Sequence, residues 1–135
     1  MRTTAHEDQL QIACVRWFDM QFPEYRMLLH HSPNGGYRTL TEGKLFRKMG
    51  TRAGFPDLLL LLQTDEWTAL AIELKTDTGK QSVHQKEWQN VATQNGIRYE
   101  VVRSFDEFYG LVNEHIIAHR LWQENRKRSM TIGAR

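Results

Sequence analysis

The chain has 135 residues and a net charge of +2, and its 40% hydrophobic and 25% charged residues favour one folded globular domain over a disordered chain. The longest aliphatic run, Leu58 to Leu62, is too short to span a membrane, and we expect no secretory signal because the N-terminus lacks an apolar segment. Cys14 is the only cysteine, which excludes an intrachain disulfide and a cysteine-based zinc site and favours a reducing, cytoplasmic setting.

The first predicted element is a helix from about Thr4 to Phe22, because apolar residues recur there at helical spacing. Thr4 and Glu7 have the spacing of a capping box, and Pro23 stops the helix. A short strand at Tyr25–His30 should follow.

A loop and a short basic helix are predicted next. The loop is Ser32–Gly36, which is rich in turn residues. The helix runs from Thr41 to Met49, with Gly50 placed as its C-cap.

The middle of the chain predicts a strand–helix–strand unit built on a hairpin. Strands at Leu58–Leu62 and Trp67–Lys75, joined by a turn at Gln63–Glu66, should pair in antiparallel fashion. A helix at Ser82–Gln94 then leads to a strand at Arg98–Val102. A right-handed crossover places this last strand parallel to Trp67–Lys75.

The last predicted helix runs from Phe105 to Trp122 and opens with a capping box formed by Ser104 and Glu107. His84, His115 and His119 are expected on helix surfaces. Residues 1–122 should form a single domain, and residues 123–135 a basic, flexible tail. The order helix, strand, helix, two strands, helix, strand, helix predicts an α/β fold with a small mixed sheet flanked by helices.

Basic residues are concentrated in two segments, each of which contains a single acid. The segment from 37 to 54 carries Arg38, Lys44, Arg47, Lys48 and Arg52, and the segment from 120 onward carries Arg120, Arg126, Lys127, Arg128 and Arg135. Such clusters favour a polyanionic partner, although an ordinary solvated surface explains them equally well.

Alternation along the strand Ala69–Lys75 separates a core face from a polar end. Leu70, Ile72 and Leu74 fall on one face, and Glu73 and Lys75 fall on the other, about 7 Å apart at Cα. A salt bridge at the end of a strand would also explain this pair.

Asp57 begins the partner strand, so the hairpin should bring it beside Glu73 and Lys75. Two carboxylates packed together repel each other unless a cation lies between them, and oxygen ligands favour Mg²⁺ or Mn²⁺. Such an ion can lower the pKa of bound water and polarise a phosphoryl oxygen, while Lys75 positions hydroxide or neutralises developing charge. These residue types match the needs of phosphodiester hydrolysis.

This combination resembles the PD-(D/E)XK nuclease superfamily and, more closely, its VRR-NUC branch, the virus-type replication-repair nucleases. The resemblance covers residues 5 to 112 and rests on His30–Gly36, Gly50, Gly54–Leu58, Glu73-Leu74-Lys75, Gln85, Trp88 and Tyr99–Arg103. It implies a restriction-endonuclease-like core and a divalent-metal endonuclease acting on DNA in the cytoplasm of a bacterial or phage-infected cell.

The resemblance also implies roles that spacing does not give. Glu7 corresponds to an acid that helps hold the metal, although its place in a capping box explains it as well. Gln85 corresponds to a glutamine that faces the active site from the helix after Lys75, and an exposed glutamine is the alternative. The main-chain carbonyl of Leu74 is a further expected metal ligand.

Substrate contacts are expected on both sides of the basic helix. By resemblance, Asn34, Gly35 and Gly36 lie near the active site and touch substrate, whereas a tight turn is the simpler reading. Four basic residues can line a groove for the phosphate backbone: Arg38, Lys44, Lys48 and Arg52.

Four functions remain open from the sequence. The first is a Mg²⁺- or Mn²⁺-dependent DNA endonuclease, with branched, junction or flap DNA as candidate substrates and a homodimer as the expected assembly. The others are a nucleic-acid-binding module without chemistry, an RNA-directed nuclease, and a structural domain whose charged trio is a salt-bridge cluster.

Overall fold

The computed structural model describes residues 5–33 and 39–133. Its helices are α1 (Ala5–Gln21), a 3-10 helix (Pro23–Leu28), α2 (Leu40–Lys48), α3 (Val83–Gln94) and α4 (Phe105–Gly133), and its strands are β1 (Leu29–His30), β2 (Leu58–Leu60), β3 (Ala69–Leu74) and β4 (Ile97–Val102). Within these residues, none of the helices combines the length and apolar character that a membrane span requires.

The four strands form one mixed sheet in the order β1-β2-β3-β4. The hairpin strands β2 and β3 are antiparallel, with Leu58 opposite Ile72. Strands β3 and β4 are parallel, with Leu74 opposite Val102, so both strands end at the same edge of the sheet. The predicted hairpin, the parallel crossover and the α/β fold are confirmed.

One face of the sheet carries the hydrophobic core. Leu70 and Ile72 of β3 pack in a single cluster with Phe18 of α1 and with Phe108 and Val112 of α4. Full burial of a side chain of this kind contributes about 1.5–3 kcal/mol relative to exposure. The opposite face of β3 lies under α3, where polar groups replace part of the apolar packing.

The prediction of a strand at Tyr25–His30 is wrong for most of these residues. Residues Pro23–Leu28 form a 3-10 helix, and only Leu29 and His30 pair with β2. Pro23 stands at the start of that helix. Its fixed φ suits a helical turn, and the N–H that it lacks would have no partner within the helix at that position.

The end predicted for the last helix at Trp122 is also wrong. Helix α4 continues to Gly133, so residues 123–133 are helical, and the flexibility expected for residues 123–135 stays a prediction. The segment is rich in good helix formers, and the first glycine after Trp122 is Gly133. The Arg126 guanidinium lies 5.4 Å from the centre of the Trp122 ring one turn earlier, which adds a local contact.

His115 and His119 are buried, although a surface position was expected for both. Their rings donate to the carbonyl oxygens of Leu62 and Gln63, at 2.8 and 2.7 Å. These bonds tie α4 to the turn between β2 and β3 and satisfy carbonyls that no strand partner reaches.

Candidate active site

Asp57 and Glu73 lie opposite each other at the end of the hairpin. Leu58 pairs with Ile72, so the register extended by one residue sets Asp57 across from Glu73, on the face away from the core. One oxygen of Asp57, Oδ2, accepts a hydrogen bond of 2.7 Å from the main-chain N–H of Leu74. The hairpin therefore fixes one carboxylate directly on the strand that carries the other.

The Glu73 side chain is buried, with 1% of its surface exposed. Its Oε2 accepts a hydrogen bond of 2.8 Å from the side-chain amide of Gln85. Its Oε1 is also buried and has no hydrogen-bond partner in the described part of the chain. Buried polar atoms are nearly always paired, so this oxygen marks a place that suits a ligand.

Gln85 is placed by the capping box that starts α3. Its main-chain N–H donates to Ser82 Oγ, and its side-chain oxygen accepts from the main-chain N–H of Ser82 at 2.8 Å. The same side-chain amide can then donate to Glu73 from its nitrogen. Gln85 thus points inward, as the resemblance implies for this position.

Burial raises the pKa of both carboxyl groups. Burial, followed by the negative charge of Asp57, raises the pKa of Glu73 to about 8. The pKa of Asp57 is also raised by burial, against the opposing effects of the Leu74 N–H and the Lys75 charge. A cation between the carboxylates would favour their charged forms, because an opposite charge nearby stabilises an anion.

Lys75 is half-buried at the end of β3, and its positive charge lowers the pKa of both carboxyl groups. It lines an open cavity of about 540 Å³ with Glu7 of α1. The trio predicted from the sequence, Asp57, Glu73 and Lys75, is therefore brought together at one sheet edge.

Glu7 lies in the wall of this cavity, and its charge contributes the smallest of the effects that raise the pKa of Asp57. It does not join Asp57 and Glu73 in one ligand cluster. Across residues 5–33 and 39–133, no three histidine, cysteine, aspartate or glutamate side chains are grouped as a metal site. The predicted capping partner of Glu7, Thr4, lies outside the described residues.

The donors that are present fit a small divalent cation. Asp57 and Glu73 supply hard carboxylate oxygens, and Glu73 Oε1 lacks any other partner among the described residues. Mg²⁺ is usually held by one or two carboxylates and keeps several waters, so a third acidic side chain is not required.

Two further residues, His31 and Gly54, also shape the site; both belong to the segments that carry the resemblance, but neither was counted among the site residues. His31 Nδ1 donates to the Asp57 carbonyl oxygen at 2.7 Å, which ties the chain after β1 to the start of β2. Gly54 has a φ of +81°, and a Cβ added there would lie 2.2 Å from the His84 carbonyl oxygen and 2.9 Å from the Gln85 nitrogen. Only glycine lets this turn approach the start of α3 so closely.

The predicted substrate contacts are described only in part. Asn34, Gly35, Gly36 and Arg38 lie outside the described residues. Lys44 and Lys48 are exposed on α2, which buries none of its side chains, and Arg52 is exposed in the turn that follows.

Comparison with known proteins gives one family and one fold. The sequence profile of the VRR-NUC domain matches residues 5–106. Among solved structures, a VRR_NUC domain protein superposes with a TM-score of 0.74 at 24% identity, covering 86% of this chain and 92% of that one. No curated protein matches the chain.

Proposed function

Because the chain belongs to the VRR-NUC family, we propose that it is a divalent-metal-dependent endonuclease that hydrolyses phosphodiester bonds in DNA. Membership gives a nuclease-like domain of the PD-(D/E)XK type, and a nuclease domain implies a nucleic-acid substrate. The metal requirement, the choice of DNA and the cutting of an internal bond go beyond that membership.

The observation that carries the proposal is the buried Glu73 carboxylate beside Asp57, with Oε1 left without a partner in the described chain. An unpaired buried carboxylate oxygen costs stability. A cation bound between Glu73 and Asp57 would supply a partner for this oxygen. Asp57 and Glu73 are the proposed ligands, with the Leu74 carbonyl and Glu7 as further ligands expected from the resemblance.

When bound, Mg²⁺ or Mn²⁺ would polarise a phosphoryl oxygen and acidify water. The described residues orient the carboxylates and stabilise charge. The Leu74 N–H orients Asp57, and the Gln85 amide orients Glu73, so neither carboxylate has to reorganise on binding. Lys75, whose positive charge lowers the pKa of both carboxyl groups, would stabilise negative charge that develops on the phosphate.

Substrate shape and assembly are further parts of the proposal. The exposed Lys44, Lys48 and Arg52 can contact the phosphate backbone without reading its sequence. Branched, junction or flap DNA, a homodimer in which each active site cuts one strand, and a cytoplasmic location remain predictions.

A substrate panel tests the function directly. The protein should nick labelled duplex, single-stranded, flap or junction DNA with Mg²⁺ or Mn²⁺, and EDTA should stop the reaction. Lys75→Ala should be inactive. Lys86→Ala is the matched control, because Lys86 is an exposed lysine of α3 and its loss should leave cleavage unchanged.

Three other results would replace the proposal. Cleavage confined to RNA would indicate an RNA-directed nuclease. Salt-sensitive DNA binding without cleavage, unchanged by EDTA, would indicate a binding module on a nuclease-like fold. The absence of both binding and cleavage on every substrate would leave the structural domain.

A further inference from the structure

The Thr76–Gly79 turn, directly after Lys75, is closed by hydrogen bonds between its two end residues. The Gly79 N–H lies 3.2 Å from the Thr76 carbonyl oxygen and 3.1 Å from Thr76 Oγ1. The turn connects β3, which ends beside Lys75, to the capping box of α3. Its conformation therefore bears on both ends of the candidate active site.

Arg103, at the end of β4, holds this turn from the outside. One guanidinium nitrogen, Nη1, donates to the Thr76 carbonyl oxygen at 2.6 Å and to the Gly79 carbonyl oxygen at 2.7 Å, with the Asp77 carbonyl oxygen at 3.4 Å. Hydrogen bonds from a charged donor are stronger than neutral ones. A single side chain thus donates hydrogen bonds to the carbonyl oxygens at both ends of the turn.

Arg103 is itself anchored to two elements. Its main-chain N–H donates to Glu107 Oε1 in the first turn of α4 at 2.9 Å. The residue before it, Val102, accepts the main-chain N–H of Lys75 at 3.0 Å. The guanidinium therefore links the turn to a rigid junction of β3, β4 and α4.

The Thr76–Gly79 turn also lies next to the Lys75 side chain. A Cβ placed on Gly79 would lie 3.5 Å from Lys75 Cδ and 3.0 Å from Thr76 Oγ1, so the lysine stem lies beside Gly79. A shift of Gly79 would alter where the Lys75 ammonium can point.

We propose that Arg103 is a positioning residue for Lys75, acting through the Thr76–Gly79 turn. The inference rests on the proposed role of Lys75 in phosphodiester hydrolysis. Arg103 also lines the cavity that contains Lys75, so a direct contact with a substrate phosphate is the competing explanation. The two explanations differ in what they predict for KM, for salt dependence and for the free protein.

The first test needs no activity. Arg103→Met keeps the aliphatic stem and removes the donors. It should speed amide hydrogen exchange at Gly79 and shift the NMR signal of the Lys75 Cε group, assigned with Lys75→Arg. Arg98→Met is the control, because Arg98 is an arginine of the same strand that pairs with Glu100 and Glu114. The control should leave both signals unchanged.

The second test is kinetic. For Arg103→Met we expect kcat to fall roughly 10- to 100-fold, as a misplaced catalytic group does, with KM and the salt dependence close to wild type. Arg103→Lys, whose ammonium can reach some of the same carbonyls, should recover part of the amide protection and part of kcat together. Thermal melts should show that each variant is folded under the assay conditions.

Two results would overturn the inference. Unchanged exchange at Gly79 and an unchanged Lys75 signal in Arg103→Met would show that the turn does not depend on Arg103. A raised KM with a shallower salt dependence would show that Arg103 contacts substrate, because a lost phosphate contact reduces the salt slope by about one. A wild-type protein without nuclease activity would defeat the proposed function, while the exchange and NMR measurements would still decide whether Arg103 positions Lys75.

Discussion

The two faces of β3 are both buried, but they are built in opposite ways. Toward α1 and α4, the strand buries Leu70, Ile72 and Leu74 in a continuous apolar cluster. Toward α3, it buries Glu73, whose Oε1 has no partner among the described residues, beside Asp57. The apolar face lowers the free energy of the folded state, whereas the buried, unpaired carboxylate oxygen on the polar face raises it. Alternate side chains of one strand therefore carry the hydrophobic core and the proposed chemistry.

The largest expected effect is the loss of activity on the polar face. Glu73→Gln preserves the shape of the side chain and an acceptor for Gln85, but removes the charge that would hold the cation. We expect kcat to fall by roughly 10³-fold or more, the scale seen when a charge-stabilising group is lost. Single-turnover cleavage at saturating Mn²⁺ measures it. Activity within a few-fold of wild type would mean that the buried carboxylate is not part of the catalytic centre.

The matching change on the apolar face should have the reverse profile. Ile72→Ala leaves a cavity in the core and should lower the free energy of unfolding by about 2–5 kcal/mol. Urea denaturation measures the loss. Cleavage per folded molecule, assayed well below the melting temperature, should stay near wild type. A loss of chemistry as severe as that of Glu73→Gln would show that the two faces are not separable.

A substitution at Gly54 tests whether the hydrogen bond between Gln85 and Glu73 depends on the position of α3. Gly54→Ala adds a Cβ at a φ of +81° that would meet the backbone of His84 at 2.2 Å. We expect a destabilisation of about 1–2 kcal/mol from the left-handed conformation alone. Displacement of Gln85 from Glu73 should also lower kcat.

Gly110→Ala is the control for that substitution. Gly110 lies within α4, and outside its chain neighbours and the surrounding helix backbone, no described atom lies within 4 Å of a Cβ added there. Replacing a helical glycine with alanine should stabilise the protein by about 0.5–1 kcal/mol. If Gly54→Ala behaved like Gly110→Ala in melting and in cleavage, the close contact with α3 would be unimportant.

A smaller effect is expected in the stability of the metal-free protein. The raised pKa of Glu73 means that the folded chain binds a proton between the ordinary glutamate value of 4.5 and about 8, where the unfolded chain does not. Stability without metal should therefore fall as pH rises through this range. Glu73→Gln does not titrate and should be more stable than wild type by about 1–3 kcal/mol at pH 8.

Thermal melts in EDTA across this pH range test that prediction. Melting temperatures of Glu73→Gln that lie below wild type at every pH would show that the carboxylate is well paired in the folded protein. The orphaned oxygen would then have another explanation.

The sequence predicts well that Asp57, Glu73 and Lys75 lie together, because the signals for that placement are local. A turn between two apolar segments sets the hairpin, and the hairpin register sets Asp57 opposite Glu73. The alternation along β3 then assigns Glu73 and the leucines to opposite faces. Each step needs only strand geometry and nearest neighbours in the sheet.

The residues that the sequence did not reveal act across long separations. His115 and His119 look like surface residues of a helix, yet they donate to carbonyls of the distant Leu62–Gln63 turn. Gly54 is recognisable as a break in the chain, but its contact with the start of α3 depends on how the two elements pack. Arg103 could have been suspected, because parallel β3 and β4 end at one edge and Arg103 directly follows β4 there.

Cation binding by the polar face is the most direct test of the central claim, and thermal melting in a Mn²⁺ titration measures it without any substrate. The wild-type melting temperature should rise with Mn²⁺ concentration, since a ligand that binds only the folded state stabilises it by mass action. Asp57→Asn and Glu73→Gln should abolish the rise, and Ile72→Ala should keep it from a lower starting temperature. A wild-type melting temperature that ignores Mn²⁺, or an equal rise in all four proteins, would contradict a divalent cation held by Asp57 and Glu73.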